Sequence, residues 1–185
     1  MAKNDPDFWV KKREVHTEGS SPGYNEHAAL VAVLSMAQCY GIDVASVLDY
    51  GCGYGRFKNL FGKSRYVGFD WALPEGMEAP YVDEVPDESF DLVFFHAVLL
   101  HNTAKQLKEI AAWAKTRAKY ILIVELFGRE WRGNRPGNPL VINRTQVGYE
   151  DAFERECLFR VDMSHLIYKE SHPDRNNKVS YIWLH

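Results

Sequence analysis

Apolar residues are concentrated in short runs along the chain, and stretches with a helical spacing of apolar residues separate several of these runs. Short continuous apolar runs are typical of strands that are buried on both faces of a parallel sheet. The predicted strands are 44–50, 66–70, 81–82, 90–95 and 120–126. Apolar positions three or four residues apart predict a helix at 25–40, and Thr103 can cap a second helix at 103–119. Shorter helices are predicted at 56–61 and 149–156.

The order of these elements predicts the fold class. Strands that alternate with helices form an α/β fold, here a single doubly wound, mostly parallel sheet with right-handed crossovers. Segments 158–168 and 178–184 flank the turn-rich sequence SHPDRNN, so the sheet is predicted to gain a C-terminal antiparallel strand. The link at 71–80 contains two prolines and a glycine, which argue against a helix there. The central crossovers are therefore predicted to be shortened.

Composition is that of an ordinary globular domain. The 185 residues are 46% hydrophobic and 25% charged, which predicts a single domain over 1–185. The net charge of −3 gives no general attraction to nucleic acid or to an anionic membrane. The chain shows no apolar stretch long enough to cross a bilayer, no signal-peptide core and no metal-site spacing of its three cysteines. A cytoplasmic protein without a metal is the simplest interpretation.

The segment SVLDYGCGYGR, at 46–56, carries the most specific chemistry. Gly51, Gly53 and Gly55 follow a predicted strand, where glycine accepts φ > 0 and lets a ligand lie against the backbone. A helix that begins near Gly55 would direct free N–H groups and the positive end of its dipole toward a carboxylate or phosphate. The nicotinamide-type pattern GxGxxG needs glycine where Arg56 stands, so the pattern here is GxGxG.

An acid closes the second predicted strand. Asp70 lies 21 positions after Asp49 (70 − 49), close to the spacing at which an acid of a dinucleotide-binding fold reaches ribose hydroxyls. A carboxylate suits a vicinal diol because its two oxygens can accept both O–H groups. The sequence therefore predicts a sugar-bearing cofactor beside the glycine turn.

The sequence LDYGCGYG, with an acid two residues before its first glycine, resembles the first motif of the class I S-adenosylmethionine-dependent methyltransferases. This resemblance covers 46–126 and implies a Rossmann-like fold with S-adenosyl-L-methionine as cofactor. In that family the glycine turn holds the methionine part of the cofactor. The resemblance thereby assigns cofactor contacts to Asp49, Tyr50, Gly51, Cys52, Gly53 and Gly55. It also places Asp70 at the ribose, Trp71 beside the adenine, Asp83 at the adenine amino group and His96 at the sulfonium end.

Two histidines are candidate catalytic bases. Methyl transfer from a sulfonium mainly requires alignment of donor and acceptor, and a base is needed only when the acceptor carries a proton. His96 and His101 follow the fourth predicted strand, and imidazole titrates near working pH. As alternatives, His101 anchors the following helix, and His96 contacts the ligand without acting as a base.

Two segments flank the motif region. The loop at 127–148 is rich in arginine, glycine and proline, and a loop of this length is usually functional or mobile. It is predicted to lie on the substrate side, and the N-terminal arm at 1–24 is a candidate lid by family analogy. Some side chains of this loop either clamp an anionic group of the acceptor or form a solvated surface. They are Arg129, Trp131, Arg132, Arg135 and Arg144.

Two functions of different classes follow. The first is an S-adenosylmethionine-dependent methyltransferase that acts on a hydroxyl, carboxylate or amine of a small or modest-sized acceptor. Nucleic acid is disfavoured, because FFHA stands where methyltransferases of base amines carry NPPY or DPPY. The alternative is a cofactor-binding module or partner subunit without methyl transfer. A nicotinamide oxidoreductase is disfavoured by Arg56 and by the lack of a recognisable proton relay.

Overall fold

The computed structural model describes residues 23–127, 142, 144–163 and 178–185. Its strands are β1 (Ser46–Tyr50), β2 (Arg65–Phe69), β3 (Tyr81–Val82), β4 (Phe90–His96), β5 (Ala118–Phe127), β6 (Cys157–Asp162) and β7 (Lys178–Leu184). Its α-helices are α1 (Gly23–Cys39), α2 (Ala104–Arg117) and α3 (Gln146–Phe153), and two 3₁₀ helices lie at Lys58–Phe61 and Leu99–His101. All of the described strands form one sheet in the order β3-β2-β1-β4-β5-β7-β6.

Strand directions divide this sheet into a parallel part and an antiparallel edge. β1 pairs in parallel with β2 and β4, β2 pairs in parallel with β3, and β4 does so with β5. β7 lies antiparallel between β5 and β6. The predicted fold class, a doubly wound and mostly parallel sheet with an antiparallel C-terminal strand, is confirmed. Because parallel strands end at the same edge, the loops that follow β1, β2 and β4 lie side by side there.

The central positions of β4 are apolar because helices cover both faces of the sheet. Along β4, Leu92 and Phe94 belong to the core cluster under α1, whereas Val93 and Phe95 belong to the cluster under α2 and α3. Successive side chains of a strand point to opposite faces, which produces this alternation. All four side chains have no exposed surface. The run FDLVFF therefore lacks a polar face.

Helix starts follow local capping chemistry. The Thr103 hydroxyl accepts the Gln106 N–H at 3.3 Å, and the Gln106 side chain accepts the Thr103 N–H at 2.9 Å, which is a reciprocal capping box at the predicted start of α2. α3 starts at Gln146 rather than at Tyr149 as predicted, because the Thr145 hydroxyl accepts the Gly148 N–H and caps the helix there.

The crossovers next to β2 are short. No helix joins β2 to β3, as the prolines and glycine of 71–80 predicted. The helix predicted at 56–61 is wrong, since the structure has a single 3₁₀ turn at Lys58–Phe61 instead. Positive φ at Gly53, Gly55 and Gly62 brackets this segment and leaves room for one turn only. The glycine turn therefore does not open an α-helix, and the predicted helix-dipole contribution to anion binding is absent.

Several predictions fall outside the described residues. These are the candidate lid in the N-terminal arm, apart from its last two residues, and the loop residues Arg129, Trp131, Arg132 and Arg135. Within the described ranges, no helix has the length and apolarity that a membrane span requires. The same part of the chain brings no three histidine, cysteine or acidic side chains together in an arrangement that could hold a metal ion.

Candidate functional site

The glycine turn joins the carboxyl ends of β1 and β2. Gly51, Gly53 and Gly55 have φ values of +80°, +56° and +66°, a backbone region that favours glycine. The N–H groups of Gly51 and Cys52 both donate to the carbonyl of Phe69, at 2.7 and 3.0 Å. These bonds fasten the turn to the last residue of β2. The left-handed backbone that the sequence predicted is present at each of the three glycines.

The glycines also admit side chains of the chain itself. A Cβ on Gly51 would lie 2.5 Å from a methyl carbon of Val98, in the loop after β4. A Cβ on Gly55 would lie 2.2 Å from the hydroxyl oxygen of Tyr81, in β3. Close approach to a ligand is thus not the sole reason for glycine at these positions.

Asp70 connects the loop after β2 to the glycine turn. Its Oδ2 accepts the Gly53 N–H and its Oδ1 accepts the Ala72 N–H, both at 3.0 Å. The residue is 1% exposed. A carboxylate offers about four acceptor positions, so these two bonds by themselves do not exclude ribose hydroxyls. Asp70 therefore connects the glycine turn to the loop that follows β2.

Asp49 lies on the sheet face under α1, where it contacts β2. The Tyr66 hydroxyl donates to its Oδ2 at 2.7 Å. Burial raises the pKa of Asp49 to about 7, although the bond from Tyr66 and the charge of Arg56 act in the opposite direction. The structure thus brings this acid to Tyr66, and its described hydrogen bond joins two strands of the sheet.

The other predicted cofactor contacts occupy different environments. Trp71 follows Asp70 and is 45% exposed, as a stacking surface requires. Asp83 is exposed directly after β3 and lines a surface cavity with Pro80 and Val82. The Tyr50 ring instead packs into the core on the α2 side of the sheet, with Trp113 among its neighbours. Cys52 is buried in the glycine turn.

His96 ends β4 within a charged cluster. The guanidinium of Arg56 lies 3.2 Å from His96 Nδ1 and forms a 2.7 Å ion pair with Glu26, in the first turn of α1. His96 Nε2 lies 4.0 Å from Glu26 Oε1. Burial, and then the charge of Arg56, hold the pKa of His96 well below its usual range. The imidazole is therefore neutral at neutral pH.

One acidic and one basic side chain hold the turn after β4. Glu125, at the end of β5, accepts the Leu100 N–H at 3.2 Å. Arg144 donates to the carbonyls of Leu99 and Asn102, at 2.8 and 2.5 Å. Arg144 thus holds the backbone that leads to α2.

Glu125 is a residue that sequence reasoning missed. It is 2% exposed, and burial raises its pKa to about 8. The signal was an acid inside the apolar run YILIVEL. His101 lies in the 3₁₀ turn next to this contact, where its N–H donates to the Val98 carbonyl at 3.0 Å. Ala97 begins the turn with a φ of +54°, a backbone conformation that is strained for alanine.

Comparison with known proteins identifies the fold. No family model matches the sequence, and no curated protein matches it either. Among solved structures, a Burkholderia thailandensis 1,6-didemethyltoxoflavin-N1-methyltransferase with bound S-adenosylhomocysteine has a TM-score of 0.65 at 15% identity, over 94% of this chain and 81% of that chain. DhpI, in complex with S-adenosylhomocysteine, has a TM-score of 0.63 at 16% identity, over 96% of this chain and 93% of its own.

A third structure extends the comparison to a protein of similar length. An S-adenosylmethionine-dependent methyltransferase from Clostridium acetobutylicum has a TM-score of 0.63 at 9% identity, over 95% of this chain and 98% of that chain. The chain therefore has the fold of the class I S-adenosylmethionine-dependent methyltransferases, which is the fold that its glycine motif predicted.

Proposed function

We propose that the chain is a methyltransferase that binds S-adenosyl-L-methionine at the carboxyl edge of β1, β2 and β4. The acceptor in this proposal is a hydroxyl, carboxylate or amine of a small or modest-sized molecule. The observation that carries the proposal is the bond from the Gly53 N–H to Asp70, which joins the glycine turn to the acid after β2. Two of the structures with this fold were solved with S-adenosylhomocysteine, which supports the choice of cofactor.

Each part of the cofactor has a proposed partner in the chain. The glycine turn takes the methionine end, and the carboxylate of Asp70 accepts the ribose hydroxyls. The exposed ring of Trp71 stacks on the adenine, while Asp83 accepts from the adenine amino group. Bound S-adenosyl-L-methionine would supply a methyl group that is already activated. The chain's own contribution is then alignment of the acceptor, which is worth on the order of 7–11 kcal/mol of the barrier.

His96 and His101 remain candidates for contact with the acceptor in this proposal. His96 lies at the end of β4 beside the glycine turn, and its neutral imidazole can exchange a proton with an acceptor. The loop after β5 would supply the acceptor contacts, by its position in the sequence. These contacts are Arg129, Trp131, Arg132 and Arg135.

Calorimetric titration with S-adenosylhomocysteine tests the proposal. The wild-type protein should bind this compound and should not bind NADH. Asp70→Asn should weaken binding at least about tenfold, because a charge-assisted hydrogen bond is worth about 1.5–3 kcal/mol. Absence of binding to the wild-type protein would reject the proposed function. Unchanged affinity in Asp70→Asn would reject the ribose assignment alone.

Asp91→Asn provides a matched control. Asp91 also accepts two backbone N–H groups, from Ala45 at 3.1 Å and from Ser46 at 2.9 Å, but it lies at the opposite edge of the sheet. Its substitution should lower stability and leave affinity for S-adenosylhomocysteine unchanged. A protein that binds the compound but transfers no methyl group to any hydroxyl, carboxylate or amine acceptor would favour the non-catalytic module.

A further inference from the structure

The cluster of Glu26, Arg56 and His96 assembles three separate parts of the chain. Glu26 comes from the first turn of α1, Arg56 follows the glycine turn, and His96 ends β4. The side chains of His96 and Glu26 are 10% and 13% exposed, so both lie largely out of water. The charges of Arg56 and then of His27 both lower the pKa of His96.

The position of Arg56 determines where the proton of His96 resides. A guanidinium has donors only, so at 3.2 Å from Arg56 Nη2 the Nδ1 of His96 must be the acceptor. The proton of the neutral ring is therefore on Nε2. Nε2 is buried and has no hydrogen-bond partner among the described residues. It faces Glu26 Oε1 at 4.0 Å, just beyond hydrogen-bond distance.

Arg56 also neutralises the acid that would support a charged His96. Its 2.7 Å ion pair with Glu26 offsets the carboxylate charge, while its own charge opposes protonation of the ring. Arg56 therefore suppresses His96 as a base in two ways. If Arg56 turned to another anion, Nδ1 would become available, and the full charge of Glu26 would act on the Nε2–H. The Arg56 side chain is 41% exposed, so such an anion can approach it.

We infer that Glu26 is a positioning residue for His96, and that an anionic group of the bound ligand draws Arg56 away and so converts His96 into a base. This inference rests on the proposed function, in which the carboxylate of the cofactor lies over the glycine turn next to Arg56. In the resulting arrangement the Nε2–H donates to Glu26, and the lone pair of Nδ1 faces the acceptor.

The proton balance of the transfer is then complete. An acceptor X–H gives its proton to Nδ1 while the lone pair of X forms the new bond to the methyl carbon. The bond between that carbon and sulfur breaks, and its electron pair stays on sulfur. The positive charge that leaves the sulfonium appears on the His96 ring, next to the carboxylate of Glu26. An acceptor whose proton is lost in the reaction is thus favoured.

Nuclear magnetic resonance of histidine labelled with ¹⁵N tests the inference, since ring nitrogen shifts report both the pKa and the tautomer. His96→Asn assigns the resonance. Arg56→Gln should raise the pKa of His96 by at least one pH unit, and Glu26→Gln combined with Arg56→Gln should lower it again. Arg65→Gln is the control, because Arg65 pairs with Glu88 on the surface and its loss should not move His96. Saturating S-adenosylhomocysteine should raise the pKa of wild-type His96 and should have no such effect in Arg56→Gln.

The outcomes separate the parts of the inference. An unchanged pKa in Arg56→Gln, or equal values in the single and double variants, would overturn the pairing of Glu26 with His96. S-adenosylhomocysteine that binds by calorimetry but leaves the wild-type pKa unchanged would overturn release by the ligand. If the compound does not bind at all, the proposed function and ligand release both fail, and the variants alone still decide the pairing. Circular dichroism of each variant confirms that it is folded.

Discussion

Replacement of Glu125 by glutamine should make the protein less sensitive to alkaline pH. Glu125 lies at the end of β5, and its Oε1 accepts the Leu100 N–H at 3.2 Å. Its Oε2 is buried without a hydrogen-bond partner among the described residues. Glutamine has the same shape and keeps an acceptor for Leu100, but it cannot ionise. The substitution therefore removes one buried titration.

The sign and size of the effect follow from the raised pKa. Burial raises the pKa of Glu125 from 4.5 to about 8, so the folded state holds this proton more tightly than the unfolded state does. Stability is therefore highest below the unfolded pKa and falls as the pH rises toward the folded pKa. The slope is about 1.4 kcal/mol per pH unit between these values, with an upper limit of about 5 kcal/mol above pH 8.

Urea unfolding at pH 5, 6.5 and about 8 measures the difference in free energy of unfolding between wild type and Glu125→Gln. At the lowest pH the two proteins should have similar free energies of unfolding, and Glu125→Gln should become the more stable protein as the pH rises. Asp49 titrates in both proteins, so its contribution to the pH dependence of stability cancels in the comparison. Glu109→Gln is the control, because Glu109 is an exposed residue of α2 that pairs with Lys105. Parallel pH profiles for wild type and Glu125→Gln would refute the reasoning.

Three further substitutions test the local geometry, and urea unfolding measures each. Gly55→Ala should lower the free energy of unfolding by about 1–3 kcal/mol more than Gly41→Ala does. Both glycines have positive φ, but only a Cβ on Gly55 would contact Tyr81, at 2.2 Å. Equal losses of stability would show that the Tyr81 contact is unimportant. Ala97→Gly should raise the free energy of unfolding by up to about 1 kcal/mol, since it relieves a φ of +54°; a loss would contradict that strain. Thr103→Ala should lower the free energy of unfolding by about 1 kcal/mol, whereas Thr103→Ser should leave it unchanged. Equal losses of stability in the two variants would exclude capping by the hydroxyl.

The sheet could be predicted because its signals are local. The strands β1, β4 and β5 each contain a short apolar run, at 47–48, 92–95 and 120–124, and burial on both faces of a parallel sheet produces such runs directly. Thr103 predicted the start of α2 because its hydroxyl bonds to an N–H only three residues away. Even the two-residue strand β3 was predicted at its observed position, since the prolines and glycine before it left no room for a helix.

The site was less predictable because its contacts join residues far apart in the sequence. An α-helix was predicted at 56–61, but the positive φ of Gly53, Gly55 and Gly62 permits only a 3₁₀ turn there. Arg144 appeared to belong to a surface loop, but the fold brings it to the carbonyls of the turn after β4. The approach of Glu26 to His96 depends on how α1 packs on the sheet, and no local pattern in the sequence encodes it.

A crystal structure with S-adenosylhomocysteine would test the central claim most directly. We predict that the ribose hydroxyls lie within hydrogen-bond distance of Asp70, with the adenine on Trp71 and the sulfur facing the end of β4. The account would be contradicted if the compound bound elsewhere while Val98 stayed packed on Gly51 and closed the edge of the sheet.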